Sequence, residues 1–263
     1  KVGAYAIIRV YTLIFPPELA ATQGLHDLWL LPAALVSVAI GMMGVLAAKK
    51  LDRLVAFSVI GSMGMVMVTL SLFTPEGIAA ALYYIIHSTL AGAALFLIAD
   101  LVRTGRGSLD LTAQPPVAGA ALTAGFFFVG AIAMAGLPPL SGFLGKLLVL
   151  NASFSAPQAG WIWGVVLVSS LVSILGFARA GSILFWKAES MTLEGADPSG
   201  SVPRPLSYVA VGGLIGLLAA HTVFAGQMHG YTSKIAGQLF DPAPYMLKVL
   251  DTPGKLSQPK EGH

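Results

Sequence analysis

Three side chains in this sequence could pass a proton from within apolar surroundings: Lys1, His87 and Lys146. A charge in hydrocarbon costs about 2.5–3.5 kcal/mol even on lenient insertion scales, so an ionisable group inside an apolar run is a functional candidate by default. His87 lies ten residues into an uncharged stretch from Gly77 to Ala99, which puts it near the centre of any helix built from that stretch. An imidazole gives and takes protons near neutral pH, so a relay is one reading. A neutral ring hydrogen-bonded to a neighbouring hydroxyl or carbonyl is the other, with Tyr83 and Tyr84 as packing or hydrogen-bond partners.

Lys146 stands in "AGLPPLSGFLGKLLVL" (residues 135–150), just past a Pro-Pro and two glycines. Spacing alone leaves two readings open. The stem could snorkel toward the interface beyond Asn151, or the ammonium could stay buried near mid-membrane. The break favours burial, because non-helical backbone survives at membrane depth only where protein or a wet cavity satisfies it. Transporters build ion sites from such interrupted helices. Desolvation disfavours the charged form of a lysine and so makes proton exchange at physiological pH easier. A line of Lys, His and Lys joined by water is physically a proton wire.

Three further ionisable groups are secondary candidates: Arg9, Asp100 and Arg179. Lys1, Tyr5 and Arg9 share one helix face by their i, i+4, i+8 spacing, and Arg9 could reach the outer interface. Asp100 and Arg103, three apart, read as a local pair more readily than as a proton uptake point. Arg179, eight residues before Lys187, could snorkel inward. Nothing else competes as chemistry. The 263 residues include no cysteine, no metal-ligand spacing of His, Asp or Glu, no Ser nucleophile elbow and no phosphate-cradling glycine loop. No cofactor is therefore expected, an enzyme is not indicated, and a metal site stays unassigned.

The elements that must position these groups are membrane helices. The chain is 56% hydrophobic and 10% charged, with a mean hydropathy of +0.80, against about 25% charged residues in soluble domains. A net charge of +3 scattered between apolar runs gives no basic face for nucleic acid. An all-α, polytopic membrane protein follows, with about seven apolar segments: up to Phe15, then 28–48, 54–73, 77–102, 117–150, 161–186 and 206–225. The fifth would be about 51 Å long as a straight helix, too long for one simple crossing, and it contains Pro138, Pro139 and Gly142. It is expected to be broken. The first is too short to cross and opens without Met or a signal pattern, so the sequence reads as the C-terminal part of a longer protein.

Loop charges set the orientation. Lys49, Lys50 and Arg53, then Arg103 and Arg106, then Lys187 and Arg204 mark alternate loops, whereas 16–29, 74–76 and 151–160 hold no Lys or Arg. By the positive-inside rule the basic loops are cytoplasmic and the C-terminus lies outside. The many glycines favour close helix contact. The stretch 226–263 is expected as a polar extracytoplasmic tail, with "YTSKIAGQLF" a short interfacial helix ended by "DPAPY". The 187–205 loop reads as an ordinary connection.

These residues resemble the antiporter-like membrane subunits shared by respiratory complex I and the Mrp-type multi-subunit cation/proton antiporters. "KVGAYAIIR" is similar to the family's eighth helix, with its lysine on Lys1. "LDRLVAFSVIGSMGMV" resembles the start of the tenth, where complex I relatives often carry a lysine and this chain has Asp52. "LYYIIHSTLAGAALFLIADLV" resembles the eleventh, with the histidine on His87. "AMAGLPPLSGFLGKLLVL" resembles the broken twelfth, with its central lysine on Lys146. Within the family the wording is most similar to the D-type chains of the Mrp antiporters.

The resemblance implies a fourteen-helix fold with inverted repeats, of which residues 1–225 would be helices eight to fourteen and about 28–186 the second repeat. The family's first seven helices, with their own half-channel, have no counterpart here. It implies a subunit of a hetero-oligomeric complex in the bacterial plasma membrane, exchanging protons for Na+ or another monovalent cation. Lys1 would pass protons between half-channels, His87 would relay them and Lys146 would gate the second half-channel. A proton-pumping subunit of complex I or a membrane-bound hydrogenase is an alternative within transport. A non-conducting scaffold subunit is an alternative of another class; it would tolerate apolar residues at 87 and 146.

Overall fold

The computed structural model describes residues 1–15, 19–20, 26–115, 119–189 and 201–251. Parts of the 16–29 and 187–205 loops, and the tail from 252, lie outside the described residues. Within them the regular structure is helical apart from a single bridge: α1 (Val2–Leu13), α2 (Leu31–Ala47, entered through a π-turn at His26–Leu30), α3 (Leu51–Ser71), α4 (Pro75–Arg106), α5 (Ala120–Ala135) and α6 (Ser141–Ala152) come first. Then follow α7 (Ala159–Gly181, continued by a π-turn at Ser182–Trp186 and the short α8, Lys187–Glu189), α9 (Pro205–Val223), α10 (Ala225–Phe240) and α11 (Ala243–Leu250).

Five helical stretches among these residues are long and apolar enough to cross a membrane: 28–47, 51–71, 75–106, 159–186 and 205–223. The remaining apolar segments are shorter. α1 has 12 residues, and the long fifth segment divides into α5 with 16 and α6 with 12. The expected break is therefore present, at residues 136–140, while the count of full-length spans is five.

Local chemistry explains the longest element. The Thr74 hydroxyl accepts from Gly77 N at 3.1 Å, Pro75 occupies the first turn, and Glu76 faces the positive end of the helix. Arg103 and Arg106 occupy the last turn, and Gly107 at φ 69° ends α4 in the left-handed conformation that glycine adopts without strain. At 32 residues, α4 is about 48 Å long and serves as the axis on which α3, α5, α6, α9 and α10 pack.

α2 and α3 form the tightest pair. A Cβ on Gly41 would run into the Gly61 backbone, and one on Gly64 would meet Val38 N at 2.6 Å. Lipid tails supply no hydrophobic drive for helices to associate, so small residues that let backbones approach do that work. Gly41→Val should force the pair apart at a cost of about 1–3 kcal/mol, read as a lowered unfolding temperature of the detergent-solubilised protein.

The three basic loops meet at one end of the bundle. Leu51 N donates to Leu109 O at 2.8 Å, Leu111 N donates to Lys49 O at 2.9 Å, and Ser201 N donates to Thr104 O at 2.8 Å. An exposed Lys50–Asp110 pair at 3.7 Å spans the first two. The 74–76 and 151–160 loops, without Lys or Arg, therefore belong to the opposite end, as the alternation of charge requires.

The apolar core is in two parts, one toward each end. The cluster near the basic loops includes Val45, Leu54, Leu95, Ile98, Phe127 and Phe177. The other includes Val38, Met65, Ile78, Tyr84, Ile162 and Val166. Each of α2, α3, α4 and α7 contributes to both clusters at its two ends. Between them, at mid-height, the buried residues turn polar: Ser58, Ser62, His87, Ser88, Ser141, Lys146, Ser169 and Ser173. Several of these serines bond back to their own helix, as Ser58 does to Val55 O and Ser62 to Val59 O, which removes the penalty of burying a hydroxyl.

The segment after Gly226 is more structured than its polar composition suggests. α10 runs the full length from Ala225 to Phe240, begins before "YTSKIAGQLF", and packs along α4 with Thr232 and Ala236 buried. Ala236 joins the second core cluster. The expected stop holds: Asp241 and Pro242 separate α10 from α11.

Candidate functional site

The site is assembled where α5 and α6 part. α5 ends at Ala135, and Gly136 follows at φ 77°, so the backbone turns away and leaves helix-end groups to be satisfied. Two side chains from elsewhere supply partners. Lys146 Nζ donates to the Ala135 carbonyl at 2.5 Å and to Ser170 Oγ of α7 at 2.9 Å. Thr222 Oγ1 of α9 accepts from Ser141 N, the first N–H of α6, at 2.9 Å. The break is thus closed on one side by a cation and on the other by a hydroxyl.

The direction of Lys146 decides between the two readings its spacing left open. Helical side chains lean toward their own N-terminus, and this stem leans back across the break. It passes so close to Gly136 that a Cβ there would stand 2.7 Å from Lys146 Cδ and 3.0 Å from Nζ. Lys146 is only 5% exposed. It does not snorkel.

His87 faces the same break from α4. Its Nδ1 shares a 2.9 Å hydrogen bond with Ser141 Oγ. Its Nε2 has no protein partner and lies beside Gly142, where a Cβ would be 2.9 Å from that nitrogen and would collide with the Ala133 carbonyl. Lys146 therefore holds the Ala135 carbonyl at the end of α5, while His87 lies against the Gly142 backbone on the other side of the break. Lys1 is half-buried at the start of α1.

The secondary candidates stand apart. Arg9 lies over the Tyr245 ring of α11, 5.1 Å from its centroid. Asp100 pairs with Arg103 at 3.0 Å, both well exposed, in agreement with the local-pair reading. Arg179 donates to the Ala48 carbonyl and so ties α7 to the end of α2. Asp52 sits in the first turn of α3, where its Oδ1 accepts from Arg53 N. Among the described residues no three His, Cys, Asp or Glu side chains gather as a metal site would require.

Ser141, Ser170, Thr222 and His221 were not singled out from sequence. His221 had a legible signal, as a second histidine within an apolar segment, but its partner Tyr83 lies on another helix. The other three are hydroxyls whose partners lie on different helices, and no local spacing announces such contacts.

The transmembrane family described as NADH:quinone oxidoreductase/Mrp antiporter matches residues 1–175, two thirds of the chain. The chain belongs to this family. Among relatives, the D chain of a probable K(+)/H(+) antiporter in Rhizobium meliloti is 30% identical over 98% of this chain and 52% of its own length. The D chain of the Na(+)/H(+) antiporter of Bacillus subtilis is 34% identical, covering 95% of this chain and 49% of its own. The chain thus spans about half the length of these relatives. A chain in the structure of the Mrp complex from a Dietzia species superposes with a TM-score of 0.77 over 95% of this chain and 53% of its own, at 22% identity. That last likeness is one of fold. Membership in the NADH:quinone oxidoreductase/Mrp antiporter family, together with the apolar helices, makes this a multi-pass membrane protein.

Proposed function

We propose that this chain acts as the proton-conducting second half of a D-type antiporter subunit. It corresponds to helices eight to fourteen of a fourteen-helix fold, with residues 28–186 as the second inverted repeat. It works within a hetero-oligomeric complex of the bacterial plasma membrane, C-terminus outside, and exchanges protons for Na+ or another monovalent cation. Lys1 passes protons between half-channels, His87 relays them along the membrane centre, and Lys146 gates the second half-channel. One observation carries the reading: a buried, protonatable lysine holds the broken end of α5 within a polar layer that also contains His87. A scaffold subunit has no need of a cation in such a place.

Redox-driven proton pumping is the second reading, since the family takes in NADH:quinone oxidoreductases. The two part in one assay. In everted membrane vesicles containing the complete complex, with a pH gradient already imposed, added Na+ or K+ should collapse the gradient with no electron donor present. Proton movement that appears only on addition of an electron donor, and ignores the cation, would transfer the chain to the redox-driven class.

A further inference from the structure

The polar layer does not end at His87. One turn earlier on α4, the buried Tyr83 ring lies against His221 of α9, centroids 4.4 Å apart and planes 31° from parallel. Tyr83 Oη and His221 Nε2 are buried without a protein partner, as are His87 Nε2 and His229 Nδ1. Buried polar groups nearly always find a partner, and internal water serves where protein does not. Ala79, Tyr83 and His87 share a face of α4 by their i, i+4, i+8 spacing. Ala79 and Ala80 then line a cavity of about 230 Å³ between α4, α6 and α10, whose wall includes Glu76, Asn151, His229 and Ser233. This cavity lies at the end of the bundle opposite the basic loops.

We propose that Tyr83 and His221 form a water-linked proton path from His87 to the cavity walled by Glu76, Asn151 and His229, opening on the extracytoplasmic side. The inference rests on the reading of His87 as a relay and extends it to a specific outlet. Each station works without net chemistry. An imidazole accepts a proton at one ring nitrogen and releases one from the other, while the phenol donates its own proton as its oxygen accepts the next. Thr222, beside His221, caps the α6 end that carries Ser141, the hydroxyl bound to His87. The path and the break therefore share one set of neighbours.

The test uses the complete complex in membrane vesicles and follows cation-driven collapse of a pH gradient. His221→Phe keeps a ring against Tyr83 but cannot carry a proton; the rate should fall at least tenfold with the complex assembled. A second readout probes access. The chain has no cysteine, so Ser233→Cys offers one thiol at the cavity. A charged, membrane-impermeant thiol reagent on the extracytoplasmic face should inhibit that variant and spare the parent. A wild-type rate in assembled His221→Phe overturns the path. If Lys146→Ala is inactive in the same assay, the broader reading survives that result; if it too is active, both fall. Should His221→Phe fail to assemble, the thiol decides: inhibition supports the outlet, and an unaffected rate overturns it.

Discussion

Lys146→Ala should reduce cation-driven proton movement by roughly 10²-fold or more, the range over which positioned proton-transfer groups act, while the complex still forms. The side chain is almost fully buried and holds the Ala135 carbonyl and the Ser170 hydroxyl. Its loss removes the proposed proton carrier and also leaves the Ala135 carbonyl without this donor, a defect worth about 1–3 kcal/mol. Lys146→Gln separates the two effects. The amide can still donate to Ala135 but cannot titrate, so this variant should regain thermal stability in detergent and remain inactive. Full transport by either variant, measured in everted vesicles at matched expression, would remove Lys146 from the pathway.

Gly142→Ala should be nearly as damaging, although it adds a single methyl group. That carbon would overlap the Ala133 carbonyl and press on the His87 ring, 2.9 Å from Nε2 and 3.0 Å from Cε1. Either α6 moves off α5 or the imidazole leaves Ser141. Overpacking of this kind costs about 1–3 kcal/mol, and a displacement of about 1 Å at a reacting group can lower a rate by roughly 10²-fold. A fall of at least tenfold in transport is expected, with a lowered unfolding temperature. Gly125→Ala and Gly164→Ala, where a Cβ meets nothing, should be silent in both measurements. Equal behaviour of all three would mean that the close approach at Gly142 is unimportant.

The sequence made the architecture legible to different depths. Long apolar runs gave α2, α3, α4, α7 and α9 to within a few residues, because a lipid-facing helix must be apolar over its whole length. The Pro138–Pro139 and Gly142 cluster located the break, since proline in the middle of an apolar run removes a backbone donor and clashes with the turn before it. The end of α5 depends on Gly136, one more glycine in a glycine-rich chain, and its left-handed turn left no local mark. Which way Lys146 points was undecidable from spacing, because the answer comes from Ala135 across the break and Ser170 on another helix. His221 escaped notice for the same reason: Tyr83 gives it meaning, and nothing in the residues around it refers to α4. α10 was undervalued because its average polarity hides a narrow buried stripe at Thr232 and Ala236.

The lysine that clasps the end of α5 makes load and stiffness inseparable in this half of the molecule. Hydrogen bonds from an ionised donor are roughly twice as strong as neutral ones. On the proposed role of Lys146, the joint between the two half-helices would be firmer with the amine protonated than with it neutral, so a proton that left it would loosen the contact behind it.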